Sequence, residues 1–331
     1  MKEGKITESI LERSVLKLID ASDESVIQGA GAGRDISVLG MDKLQAGKLA
    51  VATNTVTGPL WNLGRRGVYR AANNFFLYGI TPLGYEINLT LPAKLREQKL
   101  KNIMTDIQTA VKETKGEIIG GHTMCVEGLP FPILSVTVIG KADGAFEKEE
   151  KSTDKTGAIV MTKWAGTEGG ALIAKVREEA LLKRYSKDYL EKVNDFGEFL
   201  SIAKECRIAR AQHATYLHDI GEGGVFGALW ELSDKTGCGF EVDLKKILLR
   251  QEIVEVCNFT DVNPYKLTSV GSLLCVSKEG EKLVETLKEA GIEAAIIGEL
   301  KDSNDKIIRN EDEIRYLDSP KNDEFFKIYH L

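Results

Sequence analysis

From Leu83 to Leu91 apolar and polar residues alternate without a break. Leu83, Tyr85, Ile87, Leu89 and Leu91 fall on one side, and Gly84, Glu86, Asn88 and Thr90 on the other. A period of two predicts a half-buried strand. Shorter apolar runs predict strands at 36–39, 48–53, 117–119 and 133–139. Between them the period changes to that of a helix. Residues 65–78 end at Gly79 with Pro82 just beyond, a common helix stop. Leu100, Ile103, Ile107 and Val111 form a second helical stripe. Residues 143–157, DGAFEKEEKSTDKTG, carry no apolar periodicity and read as a linker.

A second series begins after the linker. Strands are expected at 158–162, 240–242, 272–277 and 294–297. Helices are expected from about residue 168, as one long helix over 193–211, along the stripe Val225, Leu229 and Leu232 up to Gly237, and at 281–290. Strands mixed with helices in both halves predict an α+β or α/β chain of two domains, 1–150 and 151–331. No short tandem repeat is present.

Composition narrows the class of function. The chain has 331 residues, 43% hydrophobic and 28% charged, with a net charge of -6. An acidic chain exerts no strong pull on nucleic acid. The start, MKEGKITES, has no apolar core of a secretory signal, and no stretch approaches the roughly 20 apolar residues of a membrane span. The five cysteines form no C-x-x-C pair, which fits a reducing cytoplasm.

Four segments could carry chemistry. The first is QGAGAGRDISVL (28–39), whose glycines Gly29, Gly31 and Gly33 precede a strand. A dinucleotide fingerprint would follow a strand and open a helix, so that reading fails on context, and a flexible turn is the plain alternative. The second is ATNTVTGP (52–59), with Asn54 at the end of a strand, where ligands often sit; a turn role for Asn54 stands beside this. The third is GGHTM (120–124). Paired glycines after a strand mean that something comes close to the backbone. A phosphate against Gly120 and Gly121, with a hydrogen bond from Thr123, is one occupant. His122 reads as a polar wall or a structural histidine. The fourth is HDIGEGG (218–224), whose Asp219 and Glu222 precede a helix. The N–H groups of Gly221, Gly223 and Gly224 would attract an anion at its start. The carboxylates repel phosphate and share a site with it only through a cation such as Mg²⁺; otherwise they simply complement the helix dipole.

In this order and context the four segments resemble the aminoimidazole ribonucleotide (AIR) synthetase superfamily. Its members include selenophosphate synthetase, thiamine-monophosphate kinase and the hydrogenase maturation factor that dehydrates a carbamoyl group. The resemblance runs from Gly4-Lys5 to about Leu317. It rests on ATNTVTGPLWNLGRRGVYRAANNFFLYGITP followed by GGHT, on HDIGEGGVFGALWEL followed by GCGFEVD, and on NPYKLTSVGSLL. It implies a PurM-like, ferredoxin-like first domain that dimerises edge to edge, taken here through the strand at 83–91, and an α/β second domain. It also implies ATP held with Mg²⁺ on acidic residues, and phosphoryl transfer to a small acceptor. Carried over position by position, the nucleotide residues are Lys5, Arg34, Asp35, Asn54, Asn74, Gly120, Gly121, His122, Thr123, Asp219 and Glu222, with Asp35 and Asp219 toward the metal.

The chain departs from the superfamily pattern at several of these positions. Arg34-Asp35 stands in place of an acidic pair. Asn54 and Asn74 stand where relatives carry aspartate, and Met124 where the nearest relatives are acidic. An asparagine offers Mg²⁺ a carbonyl oxygen but no charge, so a weakened metal site is expected. The segment FFKIYHL lacks the cysteine on which the maturation factors carry their carbamoyl group. Three readings result: an ATP-dependent enzyme with an unknown acceptor, a degenerate nucleotide-binding or interaction protein with little turnover, or a purely structural partner that binds no nucleotide.

Overall fold

The structure is a computed structural model, and it describes residues 26–28, 33, 36–40, 48–142, 154–195 and 199–330. These fall into two compact units: 26–28 and 36–142 in the first, and Gly33, 154–195 and 199–330 in the second.

The first unit runs β1 (Val26–Gln28), β2 (Ser37–Gly40), β3 (Lys48–Thr57), α1 (Leu63–Leu77), β4 (Pro82–Pro92), α2 (Glu97–Glu113), β5 (Glu117–Val126) and β6 (Ile133–Ala142). The sheet order is β1-β2-β3-β6-β4-β5. Only β4 and β5 run parallel. Alternation decides which side is covered. Ala50, Ala52 and Val56 of β3, with Leu134, Val136 and Val138 of β6, are buried on one side, where α1 packs. Thr53, Thr55 and Thr57 project from the other. There Thr53 pairs with Thr137 at 2.8 Å and Thr55 with Ser135 at 2.7 Å, hydroxyl to hydroxyl across neighbouring strands. The layering is that of a ferredoxin-like unit, with the second helix entering one strand earlier than in the order β-α-β-β-α-β.

Two expectations change here. The strand at 83–91 is not an edge: β4 bonds to β6 on one side and to β5 on the other. Leu83 also leaves the buried side. The β4–β6 register shifts between Pro82 and Gly84, so Leu83 is the extra residue of a bulge and is exposed, while Tyr85, Ile87, Leu89 and Leu91 are buried.

The second unit runs β7 (Gly157–Thr162), α3 (Thr167–Val176), α4 (Glu178–Leu181), α5 (Lys187–Asp195), α6 (Ala203–Ala211), β8 (Tyr216–Ile220), α7 (Gly224–Thr236) and β9 (Gly239–Asp243). It continues α8 (Gln251–Thr260), β10 (Ser272–Ser277), α9 (Gly280–Glu289), β11 (Ala294–Lys301), β12 (Lys306–Asn310) and β13 (Glu313–Tyr316), and closes with a 3₁₀ segment, Glu324–His330. The sheet order is β13-β12-β9-β11-β7-β10-β8. Val225, Leu229 and Leu232 of α7 enter one core with Ile159 and Met161 of β7 and Leu274 and Val276 of β10.

The single helix expected over 193–211 is two helices. The buried ammonium of Lys163 donates to Phe199 O at 3.2 Å and Ser201 O at 2.6 Å, and pairs with Glu205 at 2.7 Å. Carbonyls turned toward Lys163 are withdrawn from a helical ladder, so the chain breaks between α5 and α6. The strands β8, β12 and β13 and the helix α8 are additions to the elements expected from the pattern. The expected linker falls mostly on 143–153, outside the described residues. Among the described residues no helix is long and apolar enough to cross a membrane.

Candidate functional site

Asn54 sits on β3, half-buried between the buried Ala52 and Val56, and so points to the side of the sheet that carries α1. Asn74 lies in α1 at 8% exposure. Since β3 and α1 pack on each other, the two amides belong to neighbouring elements. Neither side chain is hydrogen-bonded among the described residues, and neither amide is sealed from solvent. A pair of unbonded amides is unusual on the packed side of a sheet, because half-buried polar groups ordinarily find partners.

GGHTM does not follow its strand but continues it. It lies inside β5, the edge strand beside β4, and all five residues are exposed. What comes close to the glycine backbone is the neighbouring strand. Gly121 has φ +144° and pairs with Ile87, and a Cβ on it would stand 1.9 Å from Ile87 O. Gly120 is under no such constraint: the nearest atom to a Cβ there is Glu86 Oε1 at 3.7 Å. His122 pairs with Asn88 on the open side of the sheet, near Glu86, and Thr123 takes the opposite side with Leu89. Among the described residues no strand covers the outer edge of β5, so its backbone groups remain open to a partner or ligand.

In the second unit Asp219 belongs to β8 rather than to the glycine loop, and is half-buried. Its neighbour His218 is buried, with Nε2 3.0 Å from Glu231 Oε2 of α7. Glu222 sits in the loop Gly221–Gly223 and is half-exposed. The expected anion cradle at the start of α7 is largely occupied from within. Gly224 N–H donates to Gly221 O at 3.2 Å, and Gly223 N–H donates to Asp323 Oδ2 at 2.7 Å. The helix end thus already faces a carboxylate of this chain. Gly224, at φ +63°, could not carry a side chain: a Cβ would lie 2.7 Å from both Tyr265 O and Leu267 O.

Lys5, Arg34, Asp35, Gly29 and Gly31 lie outside the described residues. Gly33 is described: it has φ +66° and packs in the second unit, where a Cβ would meet Glu231 O at 3.4 Å. Among the described residues no three or more His, Cys, Asp or Glu side chains cluster as metal ligands. Asp219 and Glu222 do not make an Mg²⁺ site alone, and the first unit's candidates are amides, which a hard dication prefers less than carboxylates. No step is therefore assigned to a metal.

Two features had no signal in the sequence. Asp323 stands 100 residues from its partner Gly223, inside the polar run KNDE that reads as a solvated stretch. The first unit also holds a cavity of about 460 Å³ between the 60–62 segment and α2, lined by Trp61, Asn62, Lys99, Asn102, Asp106 and their neighbours. None of the expected site residues lines it. Burial raises the Asp106 carboxyl above its usual range, and the Arg65 guanidinium opposes the shift.

Comparison with known proteins accounts for this pair of units. Residues 33–142 match the model of the AIR synthase related protein N-terminal domain, and residues 157–310 that of the C-terminal domain. The carbamoyl dehydratase HypE of Rhizobium leguminosarum is 24% identical over 278 residues, covering 81% of this chain and 77% of that protein. In fold, the chain is similar to a HypE–HypF complex chain, with TM-score 0.74 and 21% identity over 94% of this chain and 100% of that one. It is also similar to a hydrogenase maturation protein HypE in complex with ATP, with TM-score 0.67 and 16% identity over 99% and 98%. The two units, their order and their matched boundaries place the chain in the AIR synthase-related family, among relatives that include HypE.

Proposed function

We propose that this chain is an ATP-dependent enzyme of the AIR synthase-related family that transfers a phosphoryl group to a small acceptor, with a diminished need for Mg²⁺. The observation that carries the reading is the pair of unbonded amides, Asn54 and Asn74, on neighbouring elements. A carboxylate can only accept, and it repels phosphate unless a cation intervenes. An amide also donates, so it can meet a phosphate oxygen directly. Lys5, Arg34 and Asp35, the exposed Gly120–Thr123 backbone, Asp219 and Glu222 complete the nucleotide set, with Asp35 and Asp219 toward any metal. A HypE crystallised in complex with ATP supports the choice of nucleotide.

The chain is also read as a homodimer in the cytoplasm, formed through the first unit. The open edge of β5 and the exposed Ile119, Met124 and Leu83 support that surface. A monomer mass by light scattering at micromolar concentration would overturn it.

The test of the nucleotide site is ATP affinity across an Mg²⁺ titration, with phosphate release followed in parallel, for the parent and for Asn54→Asp/Asn74→Asp. The parent is expected to bind ATP with weak Mg²⁺ dependence and to hydrolyse it slowly without its acceptor. The double variant is expected to require Mg²⁺, because two added charges repel phosphate until a dication bridges them. If neither protein binds ATP, the nucleotide reading falls. A second reading, nucleotide binding with little turnover, is favoured by the lack of an acidic cluster among the described residues. It wins if ADP formation stays at background against a panel of small carboxylate, amide and phosphate acceptors.

A further inference from the structure

The segment 323–328 ties together two loops that are far apart in sequence. Asp323 is only 3% exposed. Its Oδ2 accepts Gly223 N–H at 2.7 Å, and its Oδ1 accepts Phe325 N–H at 2.8 Å. The next residue, Glu324, accepts Asn263 N–H at 3.2 Å through Oε2 and pairs with Lys327 at 2.5 Å. Further along, Arg177 Nη2 donates to Ile328 O at 3.2 Å, and Phe325 and Ile328 are buried. The two loops also touch each other. Gly224 lies against Tyr265 O and Leu267 O, and Ser269 N–H donates to Gly221 O at 3.3 Å.

This arrangement reaches Glu222 directly, because the amide that Asp323 holds is the one that follows it. Fixing Gly223 N–H fixes the peptide plane between residues 222 and 223. Together with the Gly221 O contact, that leaves the Glu222 backbone little freedom. An ordinary helix cap comes from within the first turn or just before it. Here it comes from a separate segment that is itself buried and anchored at its far end. The direction of Glu222 is thereby coupled to a part of the chain that sequence proximity would never implicate.

We propose that Asp323 is a positioning residue. Its carboxylate sets the path of the 221–224 loop and so aims Glu222, and Asp219 at the loop's root, toward the ligand. The role toward the ligand rests on the nucleotide reading above; the setting of the loop does not.

The experiment uses the full chain and Asp323→Ala, with and without added formate, which can replace the missing carboxylate. Two quantities are read: ATP affinity by calorimetry, and amide hydrogen exchange over 219–227. Asp323→Ala should lose about fivefold in affinity, the equivalent of one lost cap. Exchange should speed up in this loop and not across the sheet. Formate should restore both in the variant and change neither in the parent. A loss that formate does not restore marks general destabilisation and overturns the proposal. So does unchanged exchange. A gain in affinity overturns it as well, and would mean that Asp323 competes with a phosphate for the helix end. If the parent binds no ATP, the nucleotide reading fails by itself, while exchange and formate still decide whether Asp323 sets the loop. Should Asp323→Ala not fold, Asp323→Asn keeps the shape without the charge. Arg177→Ala releases the far end of the segment and should give a weaker change of the same sign.

Discussion

Replacing Gly121 by alanine separates two reasons for a glycine at this position, the neighbouring strand and a ligand. The backbone there has φ +144°, and a Cβ would stand 1.9 Å from Ile87 O and 2.7 Å from Ile87 C. Two costs follow. An L-residue in this glycine region carries strain of about 1–3 kcal/mol. No rotamer can relieve the clash, because the atoms met are backbone, so β5 must move away from β4 by more than an ångström. Each ladder hydrogen bond lost in that movement costs about 0.5–1.5 kcal/mol. With one or two bonds lost, Gly121→Ala should destabilise the first unit by about 3 kcal/mol, a large share of the roughly 5–15 kcal/mol of a typical domain.

Gly120→Ala is the control, since a Cβ there meets nothing closer than 3.7 Å and the backbone is not in the left-handed region. Removing a glycine at such a position is neutral or stabilises by about 0.4–1 kcal/mol through the unfolded chain. The assay is urea unfolding followed by tryptophan fluorescence in a Trp164→Phe/Trp230→Phe background. Trp61, the remaining one of three tryptophans, then reports on the first unit. Opposite signs for the two variants are expected. Equal tolerance of both would refute the argument from strand contact and return Gly121 to the ligand.

The cysteines give a second test: Cys125 is exposed and the other four are buried, so a thiol reagent at pH 8 should label one site quickly and the rest only on unfolding. Burial pushes the Cys257 and Cys275 thiols up to about 12 from 9.0. Only the unfolded chain then ionises them above pH 9, so their stabilising contribution is present below pH 9 and is lost as pH rises from 9 toward 12. Urea midpoints measured across that range should fall, and a flat profile would contradict the burial. Glu205→Gln should cost roughly 3–5 kcal/mol, because it leaves a buried ammonium without its carboxylate. Burial holds the Lys163 pKa below 10.5, so a neutral lysine needs no counter-charge and the deficit relative to the parent should narrow as pH rises toward 10.5. A gap that widens with pH would count against the pairing.

Elements with an uninterrupted period were legible from the residues alone. The alternation from Tyr85 to Leu91 and the stripe Val225, Leu229 and Leu232 both bury as the pattern requires. Legibility failed where a distant group overrode the local pattern. Lys163 divides a helix that periodicity joins, and a bulge turns Leu83 outward. The strand β8 hid because His218 and Asp219 interrupt its apolar run, although a polar pair is tolerated on an edge strand backed by Glu231. The motifs located the family, but not the atoms that surround them.

The same distinction governs how the glycine motifs are to be understood. A glycine next to a candidate ligand residue invites the inference that a ligand requires it, yet here the backbone itself supplies the close atom. Ile87 O faces Gly121, Tyr265 O and Leu267 O face Gly224, and Asp323 holds the Gly223 amide. These glycines are needed to build the frame whether or not a nucleotide binds. Evidence for binding must therefore come from groups that the frame leaves without a task. In the first unit those are the amides of Asn54 and Asn74 and the open edge of β5. A variant that keeps every glycine and changes only Asn54 and Asn74 alters ligand chemistry while leaving the frame intact. That is why the Mg²⁺ titration of Asn54→Asp/Asn74→Asp bears on function more directly than any glycine substitution.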